Sequence, residues 1–293
     1  MGGDGGGSKL NSKLRLQKPR RDFQEVSFGK NKLTVSFSPT SPTKRWIDSS
    51  NGLIGKTLKS AEKSIDSALF VFSAQRLSNI LEISHKRGVK IRTLLEPDFA
   101  YRFYSEGLDM TGVALSNNCK YELNNQPWEN PIKTVGVPLL TSGDLLHHKY
   151  GVIDKKLVIT GSHNWTEAAN ISNDETVLAI ANPTVAAHYV REFERLYQNA
   201  EFGIPRRIEK KVKQQEEECG EIKSPSTFVE RGIVDINTAS VEELVTLPGV
   251  GKKLAERIVR ARGEKRFDSL EDLERVKGIG RKKLVKLEGR VSF

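Results

Sequence analysis

Cysteine is scarce in this chain, which has only Cys119 and Cys219 among its 293 residues. The two lie far apart in segments of different composition, and they form neither a disulfide framework nor the close pairs that hold structural zinc. We therefore expect no disulfide framework and no structural zinc site. This scarcity is typical of a reducing compartment, although it does not exclude export.

Long hydrophobic runs are also lacking. No stretch approaches about 18 consecutive apolar residues, the length that indicates a membrane-spanning helix. The first residues have no apolar core of the kind that a signal peptide carries. We expect no stable membrane insertion by the chain as given. A cytoplasmic location is favoured, and a secreted or periplasmic one stays open if a signal has been removed.

Negative charge is in deficit. The 47 Lys and Arg residues outnumber the 37 Asp and Glu residues, which gives a formal net charge of +10 and a pI of about 9.5. This balance favours a polyanionic partner, either nucleic acid or an anionic membrane surface. Composition alone does not choose between these two.

Composition divides the chain into four segments. Residues 1–29 are rich in glycine and then basic, which predicts a disordered basic arm. Residues 30–203 alternate strand and helix patterns, so we predict an α/β domain with a mixed or mostly parallel sheet flanked by helices. Residues 204–230 are densely charged and then contain proline, which predicts a linker, either an exposed helix or a flexible tether. Residues 231–293 predict a small all-α domain.

Individual elements of the α/β domain can be placed by hydrophobic periodicity. We predict strands over residues 32–37, 65–72, 89–95, 132–139 and 175–181, and helices over residues 51–64, 78–86 and 183–197. Residues 101–131 show weak periodicity, and a loop of this length in a compact domain is often functional. Its aromatic and basic side chains would either touch a base or sugar or simply pack: Tyr101, Arg102, Tyr104 and Trp128.

The stretch LLHHKYGVIDKKLVITGSHNWT, residues 145–166, gathers chemistry in a predicted hairpin. Side chains alternate along a strand, so His147 and Lys149 share a face and His148 points the other way. Imidazole can act as nucleophile or proton carrier near neutral pH, and lysine stabilises negative charge on transferring oxygens. Ser162 and Asn164 add neutral hydrogen-bond donors. The set predicts a site for a phosphate.

Two further positions belong to this motif. Gly161 lets the backbone approach an anion closely. Asp154 falls at the hairpin turn, out of phase with the His147 face, so we count it with the catalytic motif as a structural orienter and not as a proton carrier.

The spacing His147-x-Lys149-x4-Asp154 followed by Gly161-Ser162-x-Asn164 resembles the HKD motif of the phospholipase D superfamily. It is most similar to the single-motif members, the small bacterial endonucleases and the mitochondrial cardiolipin hydrolase group. The resemblance implies that His147 forms a covalent phosphohistidine and that Lys149 and Asn164 bind phosphate. It also implies that Glu175 orients the histidine, with neither metal nor cofactor. Two alternatives assign no catalysis to the motif: a surface hairpin whose histidines are incidental, and an inactive homologue that binds its ligand without cleaving it.

The last segment carries two units with one plan: an acidic helix, an apolar turn with two glycines, and a basic helix. The turn glycines are Gly249 and Gly251, then Gly278 and Gly280, and they leave the amides of the following helix free to face an anion. Basic side chains stand beside those amides: Lys252, Lys253, Arg281, Lys282 and Lys283. The segment resembles the tandem helix-hairpin-helix domains of competence-type DNA receptors and repair proteins. The resemblance implies a grip on the DNA backbone, and the alternative is a helical hairpin pair for protein contact.

Together these segments predict a metal-independent, non-specific endonuclease. A two-step route through phosphohistidine needs two histidines, and the chain contains one motif. We therefore expect a C2 homodimer through the catalytic domain, with one composite site at the two-fold axis. The alternatives are a phosphodiesterase of cardiolipin-type phospholipids and a non-catalytic DNA-binding scaffold. The strandedness of the substrate, the choice of DNA or RNA, and sequence preference stay open.

Overall fold

The computed structural model describes residues 23–40, 46–121, 125–219, 234–245, 247–287 and 290–292. These residues form two compact units. The first contains residues 23–40 and 49–219, and the second contains residues 46–48 and the described residues from 234 onward.

A nine-stranded sheet is the frame of the first unit. In chain order its strands are β1 Gln24–Phe28, β2 Asn31–Phe37, β3 Ser64–Leu69, β4 Lys90–Leu95, β5 Val135–Pro138, β6 Lys149–Ile153, β7 Leu157–Gly161, β8 Thr176–Ala181 and β9 Ala200–Phe202. Across the sheet the order is β1-β2-β8-β7-β6-β3-β4-β5-β9. The strands predicted from periodicity all occur, with ends that differ by a few residues.

The sheet is mixed, as predicted, but the expectation that it is mostly parallel is wrong. Among the described strands only β3 with β4 and β4 with β5 pair in parallel, and every other pair is antiparallel. Parallel pairing requires a long crossover, whereas a short turn makes neighbours antiparallel. The turn from β6 to β7 is such a hairpin, because Asp154 and Lys155 take positive φ angles of 52° and 57°.

Helices cover both faces of the sheet. They are α1 Ser50–Lys59, α2 Gln75–Lys86, α3 Pro97–Ala100, α4 Glu106–Met110, α5 Glu167–Ile171, α6 Pro183–Tyr197 and α7 Arg206–Cys219. On one face, α6 buries Ala186, Phe193 and Leu196 against the strand residues Ala68, Leu94, Tyr150, Val152 and Val158. On the opposite face, α1 packs against α2 and β8, and the Trp165 ring lies against Gly151.

Residues 101–131 pack onto this layer and are not a free loop over the site. The Trp128 side chain is buried, and its Nε1 donates to Ser78 Oγ at 3.1 Å. The Tyr101 hydroxyl donates to the carbonyl of Gly203 at 3.3 Å. The Trp128 ring therefore packs, which is one of the two uses that the sequence left open. Residues 122–124 lie outside the described residues.

The predicted arm and linker each contain ordered structure. Strand β1 begins within the segment assigned to the arm, and residues 1–22 lie outside the described residues. Helix α7 occupies much of the segment assigned to the linker: Ile208 is buried with Leu108 and Leu115, and Gln215 exchanges two 2.9 Å hydrogen bonds with the backbone of Ser116. High charge density concealed the narrow apolar stripe of this helix.

Cys119 and Cys219 form a disulfide, with Cα atoms 5.5 Å apart. The sequence indicated no disulfide framework, and this single bond was not predicted. The bond joins α7 to the irregular segment after α4, and sequence reasoning missed it because the two residues are 100 positions apart. The expected preference for a reducing compartment loses its support with this pairing.

The second unit is a small helical domain with its own core. Its helices are α8 Val241–Val245, α9 Lys252–Glu264 and α10 Arg281–Leu287, with a 3-10 turn at Glu271–Arg275. Strands β10 Val234–Asp235 and β11 Val291–Ser292 pair in parallel. The buried side chains include Leu244, Val250, Ile258, Phe267, Leu273, Ile279 and Leu284. Another 3-10 turn covers Trp46–Asp48.

Candidate active site

The predicted pair His147 and Lys149 meet at one end of the sheet, where β6 begins and β3 ends. Lys149 pairs with Leu69 across the strands. Its Nζ lies 3.2 Å from His147 Nε2 and 3.0 Å from the His147 carbonyl oxygen. An ammonium only donates hydrogen bonds, so the ring nitrogen Nε2 accepts and carries the lone pair. Since His147 is exposed and Lys149 is buried, the imidazole is open to solvent beside a cation held by the strand.

An aromatic ring, that of Phe70, packs against both His147 and Lys149. The Phe70 ring centroid is 4.5 Å from that of His147, and Lys149 Nζ is 4.7 Å from the same Phe70 centroid. Burial lowers the pKa of Lys149 below its ordinary value, and the negative charge of Glu175 opposes this effect. Sequence reasoning missed Phe70, which comes directly after β3 in an apolar run that reads only as strand.

A buried carboxylate holds the motif segment from the other side. Glu96 follows β4, is 2% exposed, and accepts a 2.7 Å hydrogen bond from the backbone amide of Leu146. The residue before His147 is therefore fixed by its backbone. A glutamate directly after a buried strand was the available signal, and sequence reasoning passed over it.

Ser162, Glu175 and Asn164 also come to this end of the sheet. The Ser162 hydroxyl donates to Glu175 Oε2 at 2.5 Å and accepts from the Thr176 amide at 3.1 Å. Asn164 Oδ1 is buried and has no hydrogen-bond partner among the described residues. Within one chain, Glu175 Oε2 accepts a hydrogen bond from Ser162, and the charge of Glu175 acts on Lys149. The bond from Ser162 is the only hydrogen bond that the described residues give to Oε2.

The structure gives a different reason for a glycine at position 161 than the one expected from the sequence. Its φ is +147°, and a Cβ there would collide with the carbonyl oxygen of Thr176. The missing side chain therefore lets β7 and β8 approach each other. The expectation that Gly161 admits an anion has no support in this contact.

Asp154 lies at the opposite end of the sheet from Lys149, with the length of β6 between them, which is roughly 16 Å for a five-residue strand. Its carboxylate accepts from the amides of Glu62, Lys63 and Ser64 at 3.0, 2.7 and 2.9 Å. Those three bonds lower the pKa of Asp154 against the opposing effect of burial. Asp154 thus anchors the turn before β3, in agreement with a structural role, but its grouping with the catalytic residues is wrong because it lies far from His147 and Lys149.

A buried polar network supports the turn that carries Ser162 and Asn164. His163 is 2% exposed, and its Nε2 lies 3.0 Å from Asn51 Oδ1 at the start of α1. An amide oxygen only accepts, so the proton is on Nε2. The backbone amide of Asn51 in turn donates to Asn170 Oδ1 at 3.0 Å. Burial lowers the pKa of His163 to about 4, so this imidazole is neutral at physiological pH and has a positioning role.

The remaining histidines have separate contacts. His148 Nε2 lies 3.1 Å from Glu192 Oε1, on the α6 face, as strand alternation predicts. His85 stacks on Trp128 with ring centroids 5.9 Å apart, and His188 Nδ1 accepts from Arg191 at 2.7 Å. None of these contacts places a second histidine beside His147.

Metal-binding clusters and membrane-spanning helices are both missing from the part of the chain that the structure describes. No three His, Cys, Asp or Glu side chains there come together in a way that could hold a metal ion. None of its helices has both the length and the hydropathy needed to cross a membrane.

The two glycine turns of the second unit share a geometry. Gly249 and Gly278 take positive φ angles of 74° and 107°, while Val250 and Ile279 between the glycines are buried. Helices α9 and α10 begin immediately after Gly251 and Gly280. The apolar residue fixes each turn to the core, so the glycines and the first amides of the next helix stay at the surface.

The basic residues around these turns do not behave alike. Lys252, Lys253 and Arg281 are exposed, whereas Lys283 Nζ donates to the carbonyl of Gly278 at 2.9 Å. The side chain of Lys282 lies outside the described part of the structure. Arg257, which sequence reasoning missed, donates to the carbonyl of Lys277 and so links the first hairpin to the second.

Comparison with known proteins agrees with this architecture. Residues 54–197 match the family model "Cardiolipin synthase, PLD-like domain", and residues 229–292 match "Helix-hairpin-helix motif". Mitochondrial cardiolipin hydrolase of Mus musculus is 28% identical over 153 residues, which cover 52% of this chain and 59% of the relative. The Xenopus laevis protein of the same name is 28% identical over 192 residues, 63% of this chain and 81% of its own.

A bacterial protein and a solved structure are also similar. Phospholipase D of Rickettsia typhi is 30% identical over 140 residues, 48% of this chain and 59% of that protein. The chain therefore spans less than two thirds of the mouse and rickettsial relatives. Among solved structures, Nuc from Salmonella typhimurium has a TM-score of 0.45 at 20% identity, covering 60% of this chain and 100% of Nuc.

The matched residues and the relatives define the class of this domain: residues 54–197 are similar to the PLD-like domains of the phospholipase D superfamily. The chain thus contains a PLD-like domain, followed by a C-terminal helix-hairpin-helix motif.

Proposed function

We propose that the protein is a metal-independent endonuclease that cleaves phosphodiester bonds through a phosphohistidine. The observation that carries this proposal is the 3.2 Å approach of Lys149 Nζ to His147 Nε2. It supports an unprotonated Nε2, whose lone pair is freed for attack when Lys149 turns its hydrogen bonds to the phosphoryl oxygens, and it supports a cation already in place for the charge that develops on those oxygens.

The reaction has two steps. Nε2 of His147 attacks phosphorus, the bond to the leaving oxygen breaks, and a second histidine donates a proton to that oxygen. Water then attacks phosphorus, the nitrogen–phosphorus bond breaks, and the second histidine accepts the proton from the water. Lys149 and Asn164 bind the phosphoryl oxygens throughout, and their charge and dipoles supply the neutralisation that a metal supplies in other nucleases.

The second histidine comes from another copy of the chain in this proposal. The chain has five histidines, and those other than His147 contact Glu192, Asn51, Trp128 or Arg191. A C2 dimer would bring two copies of His147 to one site at the axis. The helix-hairpin-helix unit would hold the nucleic-acid backbone through the amides and basic side chains at its two turns.

A lipid phosphodiesterase is the second candidate. Relatives are named mitochondrial cardiolipin hydrolase, and Leu139 and Leu145, which precede His147, are 66% and 57% exposed. Exposed leucines beside a phosphate site suit contact with acyl chains. The helix-hairpin-helix match and the basic turns of the second unit favour nucleic acid.

One experiment separates the candidates. Purified protein is incubated in EDTA with labelled single-stranded DNA, double-stranded DNA, RNA and cardiolipin vesicles, beside the variant His147→Asn. We expect cleavage of nucleic acid in EDTA by the wild type, and binding without cleavage by the variant. Hydrolysis of vesicles alone would support the lipid reaction, and tight DNA binding without any cleavage would support a scaffold. A requirement for Mg²⁺ would contradict the proposed mechanism.

A further inference from the structure

Phe70 directly follows β3 at the end of the sheet where His147 and Lys149 meet. Its backbone amide donates to the carbonyl of His148 at 2.7 Å, so its position relative to the motif is fixed by the main chain. Its ring stands edge to face with His147 at an interplanar angle of 60°, and with Phe99 at 68° and a centroid distance of 4.9 Å. The two reactive side chains of the site therefore share one aromatic neighbour.

The contacts of the ring have two physical consequences. A ring packed against His147 restricts the rotation of an otherwise exposed imidazole, which keeps Nε2 directed at one point. The same ring lies under the ammonium of Lys149, where it excludes water yet stabilises the positive charge through its quadrupole. Among the described residues, the titratable groups that act on this ammonium are Glu175, through its charge, and His147, through its ring nitrogen.

We propose that Phe70 is a positioning residue for the phosphodiesterase reaction, holding the His147 imidazole and the Lys149 ammonium at their mutual distance. This inference rests on the proposed roles of His147 and Lys149. Phe70 touches neither phosphate nor leaving group in this scheme, and it acts through the two side chains that do.

Phe99 provides a matched control. It is also partly buried, it belongs to the same aromatic pair, and its ring contact is with Phe70. If Phe70 served only to fill space, Phe70→Ala and Phe99→Ala would change stability and activity in parallel. If Phe70 positions the His147 and Lys149 side chains, only Phe70→Ala lowers kcat.

The test compares Phe70→Ala, Phe70→Leu, Phe70→Tyr and Phe99→Ala with the wild type, using single-stranded DNA and bis(p-nitrophenyl) phosphate as substrates. We expect Phe70→Ala to lower kcat by about 100-fold, the scale of an ångström of misplacement, with a much smaller change in KM. Thermal unfolding measured on the same samples separates this loss from misfolding. Phe70→Tyr keeps the ring and should retain most of the activity, while Phe70→Leu keeps apolar volume without a ring face and should not.

The pH profile supplies a readout that simple packing would not move. Removal of the ring admits water to Lys149 and also ends the attraction of the ring for the ammonium. Burial is the largest cause of the lowered pKa of Lys149, so the entry of water outweighs the lost attraction, the pKa rises towards its ordinary value, and the alkaline limb of the kcat profile shifts to higher pH in Phe70→Ala. Equal kcat losses in Phe70→Ala and Phe99→Ala with unshifted profiles would overturn the proposal. Wild-type hydrolysis of the small diester but not of DNA would refute the nuclease assignment alone. Failure to hydrolyse either substrate would overturn both.

Discussion

His147 Nε2 and Lys149 Nζ lie 3.2 Å apart at the end of the sheet, and the other histidines of the chain have different neighbours. The proposed reaction uses two histidines for each bond cleaved. In this proposal a single protomer therefore supplies only one of the two histidines that the reaction needs.

Coexpression of tagged wild-type and His147→Asn chains tests the composite site. If each site needs His147 from two copies, activity follows the square of the wild-type fraction, because only one kind of dimer carries both histidines. The measurement is specific activity against the chain ratio determined by mass spectrometry. Coexpression with Lys155→Ala, a change at the exposed β6–β7 turn, is the control and should leave activity unchanged. A linear dependence on the wild-type fraction would show that each chain works alone.

His163 predicts a loss of stability in acid. Its pKa falls from 6.5 in the unfolded chain to about 4 in the folded protein because of burial, so protonation favours the unfolded state. The stabilisation is complete above pH 6.5 and disappears as the pH falls through 4, a change of about 3 kcal/mol. Denaturant unfolding of wild type and His163→Gln at several pH values measures it. Parallel pH dependence in the two proteins would contradict the assignment.

The glycine turns of the second unit predict a salt-dependent grip on nucleic acid. Replacing Lys252 and Lys253 by glutamate should weaken DNA binding at every sequence, and should reduce the slope of log K against log salt by about 0.9 for each phosphate that the protein no longer neutralises. Deleting residues 231–293 should flatten the slope further while the small-diester activity is kept. The matched control is Lys155→Glu with Lys156→Glu, which changes charge equally at an exposed turn of the first unit. If both double variants alter the slope alike, general charge and not the turns governs binding.

The disulfide predicts a redox-dependent stability. Closing a loop of this length removes conformational entropy from the unfolded chain, worth about 4–5 kcal/mol in the chain-entropy description. Denaturant unfolding with and without a thiol reductant should differ by a substantial part of that amount. The variant with both Cys119→Ser and Cys219→Ser should match the reduced protein and ignore the reductant, and a reductant effect on this variant would point to another cause.

Periodicity located the local structure well. Helix α6 covers the same residues, 183–197, that the apolar spacing predicts, and β6 and β7 flank the turn placed at Asp154. These elements are predictable because their cause lies within a few neighbouring residues. The motif residues His147, Lys149, Ser162, Asn164 and Glu175 likewise come to one end of the sheet.

The errors involve partners that are distant in sequence. Strand direction depends on which strands become neighbours, and the pairing of Cys119 with Cys219 spans 100 residues. Asp154 matched the motif spacing, yet its three amide partners lie some 90 positions earlier in the chain, at residues 62–64. Phe70 and Asn51 carry no local signature of their neighbours His147 and His163. Spacing along the chain identifies a motif, whereas the side chains that support it are set by packing.

The bond between Cys119 and Cys219 closes a covalent ring that contains His147, Lys149, Ser162, Asn164 and Glu175. A protease that cuts one peptide bond inside this ring leaves both fragments joined as a single molecule. Nicked enzyme would therefore migrate as intact chain on a non-reducing gel and separate into two pieces only after thiol treatment.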